Sequence, residues 1–174
     1  LYQLQAWTSL PIGTIDCNHL NDTCQTLSVG LPLCGTYTLG GTGADFPNFT
    51  EAAYALNTFG VACPVTILVN DGTYNEQVTL YDFPGSSAIN TVTFQGASGD
   101  SSLAILNYNT LNTTNNHTLS LSGTRYITFK NLSIVSSNEN PAVYCLGGTQ
   151  NLLVEYCSLS NIVCLLYTSD AADD

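Results

Sequence analysis

Laid over itself with an offset of 25 residues, one stretch of this chain repeats without a gap. Residues 117–134 superpose on 142–159, with Leu121 on Leu146, Gly123 on Gly148, Thr124 on Thr149 and Ser133 on Ser158. Apolar positions superpose as well: Ile127 on Leu152, Phe129 on Val154, Leu132 on Cys157 and Ile134 on Leu159. A looser pair stands earlier, Phe94 and Gly96 preceding Leu121 and Gly123 by 27 residues, and Val65–Val69 supplies a rung before that. A period of roughly 20–50 residues marks stacked units, none of which buries its apolar face alone. These units hold short strands and turns, with no helix between them. Parallel strands ordinarily need a long crossover, but a chain winding through three short strands per coil meets that need by going round. The sequence thus predicts an all-β fold, a right-handed single-stranded parallel β-helix, with equivalent residues one strand spacing apart, about 4.8 Å.

Alternation along each strand then turns Ile127, Phe129, Leu152 and Val154 inward and Thr128, Lys130, Leu153 and Glu155 outward. Leu132 and Cys157 share an inward column. Lys130 comes to lie against Glu155, an exposed pair that supports register and stabilises by about 0.2–1 kcal/mol. One helix is signalled at about 48–59: Asn48 and Glu51 form a capping box. Phe49, Ala52, Ala53 and Leu56 make a single stripe, and Gly60 stops it. This helix is expected to cap the N-terminal end of the coil, covering an edge that would otherwise pair with other chains. Residues 1–34, with Pro11, Pro32 and three cysteines, read as a linker or the end of a preceding domain. Residues 35–163 read as the N-terminal part of the β-helix domain.

Charge excludes whole classes of partner. The 174 residues carry a formal net charge of −11 with only two Lys plus Arg. Nucleic-acid backbones are held by clustered cations, and anionic membrane surfaces by basic segments, so neither is an expected partner. No apolar run reaches the ~18 residues of a membrane span. Gly35-Thr36-Tyr37-Thr38-Leu39-Gly40-Gly41-Thr42-Gly43 reads as a strand and turn, because Ala44-Asp45 follows where a phosphate loop needs Lys. His117, beside Asn115 and Asn116, reads as a polar turn residue, and His19 lies far from it. Cys17, His19, Cys24 and Cys34 fit no compact zinc finger. Were the chain secreted, disulfides would account better for the early cysteines, with Cys17–Cys24 and Cys34–Cys63 as the candidate pairs. Cys145 and Cys157 read as small buried apolar residues. Five Asn-x-Ser/Thr sequons, at Asn21, Asn48, Asn112, Asn116 and Asn131, are about what so Asn- and Thr-rich a chain produces by chance. Tyr108, Tyr126 and Tyr144 fall near successive rungs. Tyr126, preceding Ile127, is the candidate for an outward ring that stacks on a glycan.

In order along the chain come Gly35–Gly41, the helix, Pro64–Val69, Asp71-Gly72-Thr73-Tyr74-Asn75-Glu76-Gln77-Val78, Asn90–Gln95 and Gly99-Asp100, then Tyr126–Ile134. This run resembles the start of right-handed β-helix modules in large secreted surface proteins of Bacteroidetes-type bacteria, over about residues 33–163. The resemblance implies the pectin-lyase-like fold, a secreted or cell-surface location, and export by a type IX system with a C-terminal sorting domain. Members include pectate lyases, pectin methylesterases and adhesins. Gly72–Glu76 resembles the first methylesterase signature, which is a structural element. Where that family has a catalytic Gln-Ala-Val segment, Pro141-Ala142-Val143-Tyr144 stands here, and Pro has no amide to hold an oxyanion. Asn161-Ile162-Val163 stands where its catalytic Asp falls. A lyase site gathers carboxylates round calcium with an Arg base, and Asp100, Glu139, Glu155 and Arg125 are spread over different rungs and faces. No catalytic residue, metal ligand or cofactor is therefore assigned, calcium being left to any rungs beyond residue 163. The expected function is a non-catalytic rigid spacer or adhesive surface contacting glycans. The alternative is a polysaccharide lyase or carbohydrate esterase acting on pectin-type substrates, with its catalytic rungs past residue 163. Residues 164–174 resemble translated sequencing-adapter DNA and read as a non-native tail; without them the charge is −8 and the cysteines number six.

Overall fold

The computed structural model describes residues 2–4, 27–108, 117–136 and 141–164. The chain divides into two compact units between Leu31 and Pro32. In the first, strand β1 (Tyr2–Leu4) pairs antiparallel with β2 (Leu27–Val29), Gln3 opposite Ser28.

The second unit is a parallel β-solenoid of about four turns. It opens with β3 (Leu33–Leu39) and helix α1 (Phe49–Phe59). The first coil follows as β4 (Val61–Val69), β5 (Gly72–Asn75) and β6 (Val78–Tyr81), and the second as β7 (Val92–Gly96), β8 (Ala104–Tyr108) and β9 (Leu119–Ser122). The third is β10 (Arg125–Lys130), β11 (Ser133–Ser136) and β12 (Val143–Leu146); the fourth is β13 (Gln150–Glu155), β14 (Ser158–Leu159) and β15 (Ile162–Cys164). They stack into three parallel sheets, ordered β13-β10-β7-β4-β3, β14-β11-β8-β5 and β15-β12-β9-β6.

Stacking in register makes the core a set of columns. Ile67, Phe94, Phe129 and Val154 lie side by side, as do Val65, Val92, Ile127 and Leu152. The Phe94 and Phe129 rings stack at 5.5 Å and 15°, and Phe49 of α1 stacks on Phe94 at 5.8 Å and 17°. Burying each such side chain contributes about 1.5–3 kcal/mol. Ile127 and Phe129 are buried as expected, but Val154 is 37% exposed and Leu152 only half-buried. Both point along the expected columns, yet β13 is the outermost strand of its sheet among the described residues. One neighbouring coil covers them instead of two.

The 25-residue superposition holds on two faces and fails on the third. Ile127 pairs with Leu152, Phe129 with Val154, Ser133 with Ser158 and Ile134 with Leu159. Leu121, however, lies beside Cys145 and not Leu146, which is beside Ser122. An extra residue is taken up at Gly147-Gly148, both with positive φ (61° and 79°), before Arg125 meets Gln150. Glycine accepts that conformation without a Cβ clash. The earlier pairing differs too. Phe94 lies beside Phe129, an offset of 35 and not 27, because the chain between β8 and β9 lengthens that coil. The 27-residue step belongs one coil earlier, between Ile67 and Phe94.

Helix α1 forms where its local signals put it. Asn48 Oδ1 accepts from the Glu51 N–H at 2.9 Å, Phe49, Ala52, Ala53 and Leu56 are buried, and the Gly60 N–H donates to the Leu56 carbonyl at 2.9 Å with φ 68°. Just after it, β3 and β4 are out of step. Leu33 pairs with Val61 and Gly35 with Val65, so Cys34 faces Ala62, Cys63 and Pro64 across an irregularity. The missing Pro64 N–H is tolerated at such a point. A Cys34–Cys63 disulfide spans it.

Candidate functional site

A surface concavity of the second unit follows from how α1 is fastened to the first coil. Glu76, just past β5, reaches back to the helix start. Its carboxylate accepts from the Phe49 N–H at 3.2 Å, the Thr50 N–H at 2.8 Å and the Thr50 hydroxyl at 2.6 Å. First-turn N–H groups have no partner inside their own helix, so an anion there satisfies them and opposes the helix dipole. Further along, the Asn57 carboxamide takes the place of a neighbouring strand. Its Nδ2 donates to the Thr79 carbonyl at 2.9 Å, and its Oδ1 accepts from the Tyr81 N–H at 3.0 Å. Both are edge groups of β6, which among the described residues has only β9 beside it in its sheet. Between the two fastenings runs a shallow groove of about 200 Å³, lined by Thr50, Ala53, Tyr54 and Asn57 of α1, by Gln77, and by Val78 and Thr79 of β6. Tyr54 is 52% exposed and meets Phe59 edge-on at 6.3 Å and 88°.

The charged candidates stand apart. Arg125 makes a two-pronged ion pair with Asp82, Nε to Oδ1 at 3.1 Å and Nη2 to Oδ2 at 2.7 Å. Lys130 lies 3.6 Å from Glu155 across the β10–β13 ladder. Asp100 accepts from the Ser102 N–H and hydroxyl within its own turn, and these bonds hold its pKa below the ordinary carboxylate value. Glu139 lies outside the described residues. Among the described residues no group of three or more His, Cys, Asp or Glu comes together.

The tyrosines form no common platform. Tyr108 ends β8, Tyr126 lies in β10 and Tyr144 in β12, on three different sheets. Tyr126 is half-buried with φ 55°, and Asn151 repeats that conformation one coil on at φ 52°. Both are skipped in the pairing between Arg125–Gln150 and Ile127–Leu152. Tyr144 carries the His117 ring at 5.9 Å and 21°, and burial pushes the His117 pKa below its ordinary value. The His117 carbonyl accepts from Gln77 Nε2 at 2.9 Å, tying the second coil to the first.

Among the cysteines, Cys34 and Cys63 are bonded, while Cys17–Cys24 and His19 lie outside the described residues. Cys145 is buried and Cys157 half-buried. Burial, helped by Cys164 alongside, pushes the Cys145 thiol up to about 12, so at neutral pH it is no nucleophile. Pro141-Ala142 and Asn161 do meet: the Ala142 N–H donates to the Asn161 carbonyl at 2.8 Å. Sequence reading missed Glu76, Asn57 and the Tyr54 groove. The partners of Glu76 lie 26 and 27 residues away and those of Asn57 22 and 24, beyond any local pattern.

Compared with known proteins, the chain matches no family model, and no curated protein matches it.

Proposed function

We propose that this chain is a non-catalytic secreted or cell-surface module, a rigid spacer whose outer faces serve adhesion and contact glycans. In this reading the solenoid is a right-handed β-helix of the pectin-lyase-like type, and α1 closes its first end. The kinship proposed is with β-helix modules of Bacteroidetes-type surface proteins, on the motif order from Gly35 to Ile134.

One observation carries the non-catalytic reading. Of the described polar groups that a lyase would recruit, Arg125 and Glu155 are taken up by ion pairs between coils and Asp100 by its own turn. Asp82 holds Arg125, Glu155 faces Lys130, and Glu76 closes the helix N-terminus. An Arg held in a carboxylate fork is a poor base, because its partner favours the charged form. Pro141 lacks the amide side chain, and Asn161 the carboxylate, that a methylesterase places at these positions.

The test is incubation with polygalacturonate and with methyl-esterified pectin. The expected result is no rise in ultraviolet absorbance from unsaturated product and no methanol release, together with retention of the protein on an insoluble glycan. Turnover of either polymer would move the reading to a lyase or esterase.

A further inference from the structure

We propose that the groove between α1 and β6 is a binding site for a single neutral pyranose ring, with Tyr54 as its stacking platform. Small-ligand sites combine an apolar or aromatic surface with a few placed polar groups. This groove has both. Tyr54 is half exposed, and its perpendicular contact with the Phe59 ring helps to hold it in place. Ala53 and Val78 add apolar lining, and Thr50, Gln77 and Thr79 add polar side chains. The Thr50 hydroxyl donates to Glu76, so toward a ligand it presents lone pairs that accept from a sugar hydroxyl. Asn57 uses both ends of its carboxamide on β6, which fixes the groove walls instead of leaving them to close.

Size and charge choose the occupant. About 200 Å³ lies below the ~300–1,000 Å³ typical of drug-sized ligands, so the groove itself holds one ring. None of the lining side chains is charged at neutral pH, whereas Glu76 borders the groove through Thr50 in a chain of net charge −11. Both described cations are engaged by carboxylates on other elements. A uronate would bring a carboxylate to a site with no counter-charge and an acidic surround, while its neutral counterpart loses nothing. The site deepens the adhesive reading but does not need Tyr126.

The experiment titrates the whole chain with the methyl glycosides of glucose, galactose and mannose and with their uronate counterparts, following backbone amides by NMR. At least one neutral glycoside is expected to shift the Thr50, Tyr54 and Thr79 amides with a dissociation constant of roughly 1 mM, the scale for a dozen heavy atoms. The matching uronate is expected to leave them still. Tyr54→Ala should weaken binding about tenfold or more, as loss of an aromatic anchor does, and Tyr54→Phe should restore it. The half-exposed position keeps both variants folded, which unchanged amide dispersion elsewhere verifies. Silence with every neutral glycoside, equal binding of the uronate, or indifference to Tyr54→Ala would overturn the site. If insoluble glycan is still retained, and Tyr126→Ala abolishes that retention, the groove fails while the adhesive reading stands.

Discussion

At the scale of single residues, the fold depends on close approaches between coils that only particular side chains permit. Gly96 ends β7 with an ordinary φ, yet a Cβ built on it would fall inside the Asn131 carbonyl of the next coil. Gly96→Ala must therefore push two coils apart. The expected loss is about 1–3 kcal/mol, as for overpacking a tight interior, read as a lower urea midpoint at unchanged slope. His117 gives a pH signature of opposite origin. Burial lowers its folded pKa below the unfolded 6.5, so the unfolded state binds the proton more tightly. Its contribution is complete above 6.5 and is lost as pH falls from there through the folded value. Thermal melts should show a drop in that window that His117→Gln removes. Asp45 and Asp100, whose hydrogen bonds hold them below 3.8, lose their contributions only in stronger acid, so the two effects separate. Neither the Gly96 approach nor the His117 stack was legible in the sequence, since both are made across coils.

At the scale of elements, what was local was legible. Helix α1 carries its cap, stripe and stop within 13 consecutive residues, 48–60, and all three appear in the structure. Strand faces were legible for the same reason, because alternation needs only neighbours: Ile127 and Phe129 are buried, while Thr128 and Lys130 between and after them are half-exposed. Register was legible only where coil lengths agree. One extra glycine at Gly147-Gly148 shifted the third face by a residue, and the long chain between β8 and β9 hid the Phe94–Phe129 match. The fastening of α1 to β6 was not legible either, as Asn57 looks like any exposed helical polar residue until β6 comes alongside. Its removal should be costly. Asn57→Ala leaves the Tyr81 N–H and Thr79 carbonyl without that partner, and water replaces it only in part. A loss of about 1–3 kcal/mol is expected, with faster hydrogen exchange at Tyr81 and unchanged exchange at Leu121. Equal exchange at Tyr81 in both proteins would show that Asn57 does not hold the edge.

At the scale of the whole molecule, a solenoid is held by neighbour-to-neighbour contacts, so its ends behave differently from its middle. The fourth coil, the last among the described residues, has one described neighbour, and its Leu153, Val154, Tyr156 and Ile162 are all exposed at 37–79%. An open strand edge with apolar side chains invites pairing with other chains, and a charge pointing into the column discourages it. Val154→Lys is expected to reduce concentration-dependent association in sedimentation velocity, while Thr128→Lys, on the outward side of β10, leaves it unchanged. Association untouched by Val154→Lys would place it elsewhere on the surface. The candidate site was the least legible part at this scale. The sequence pointed to Tyr126, whereas the groove is made by Tyr54 and Thr79, 25 residues apart on a helix and a strand edge.

The fold rests on parallel coils stacked in register, and inter-strand NOEs test that most directly. Phe129 should show cross-strand contacts to Phe94 on one side and Val154 on the other, in the staggered amide-to-Hα pattern of parallel pairing. Strong Hα–Hα contacts between β10 and β13, the mark of an antiparallel hairpin, or no contact between Phe129 and Val154, would contradict it.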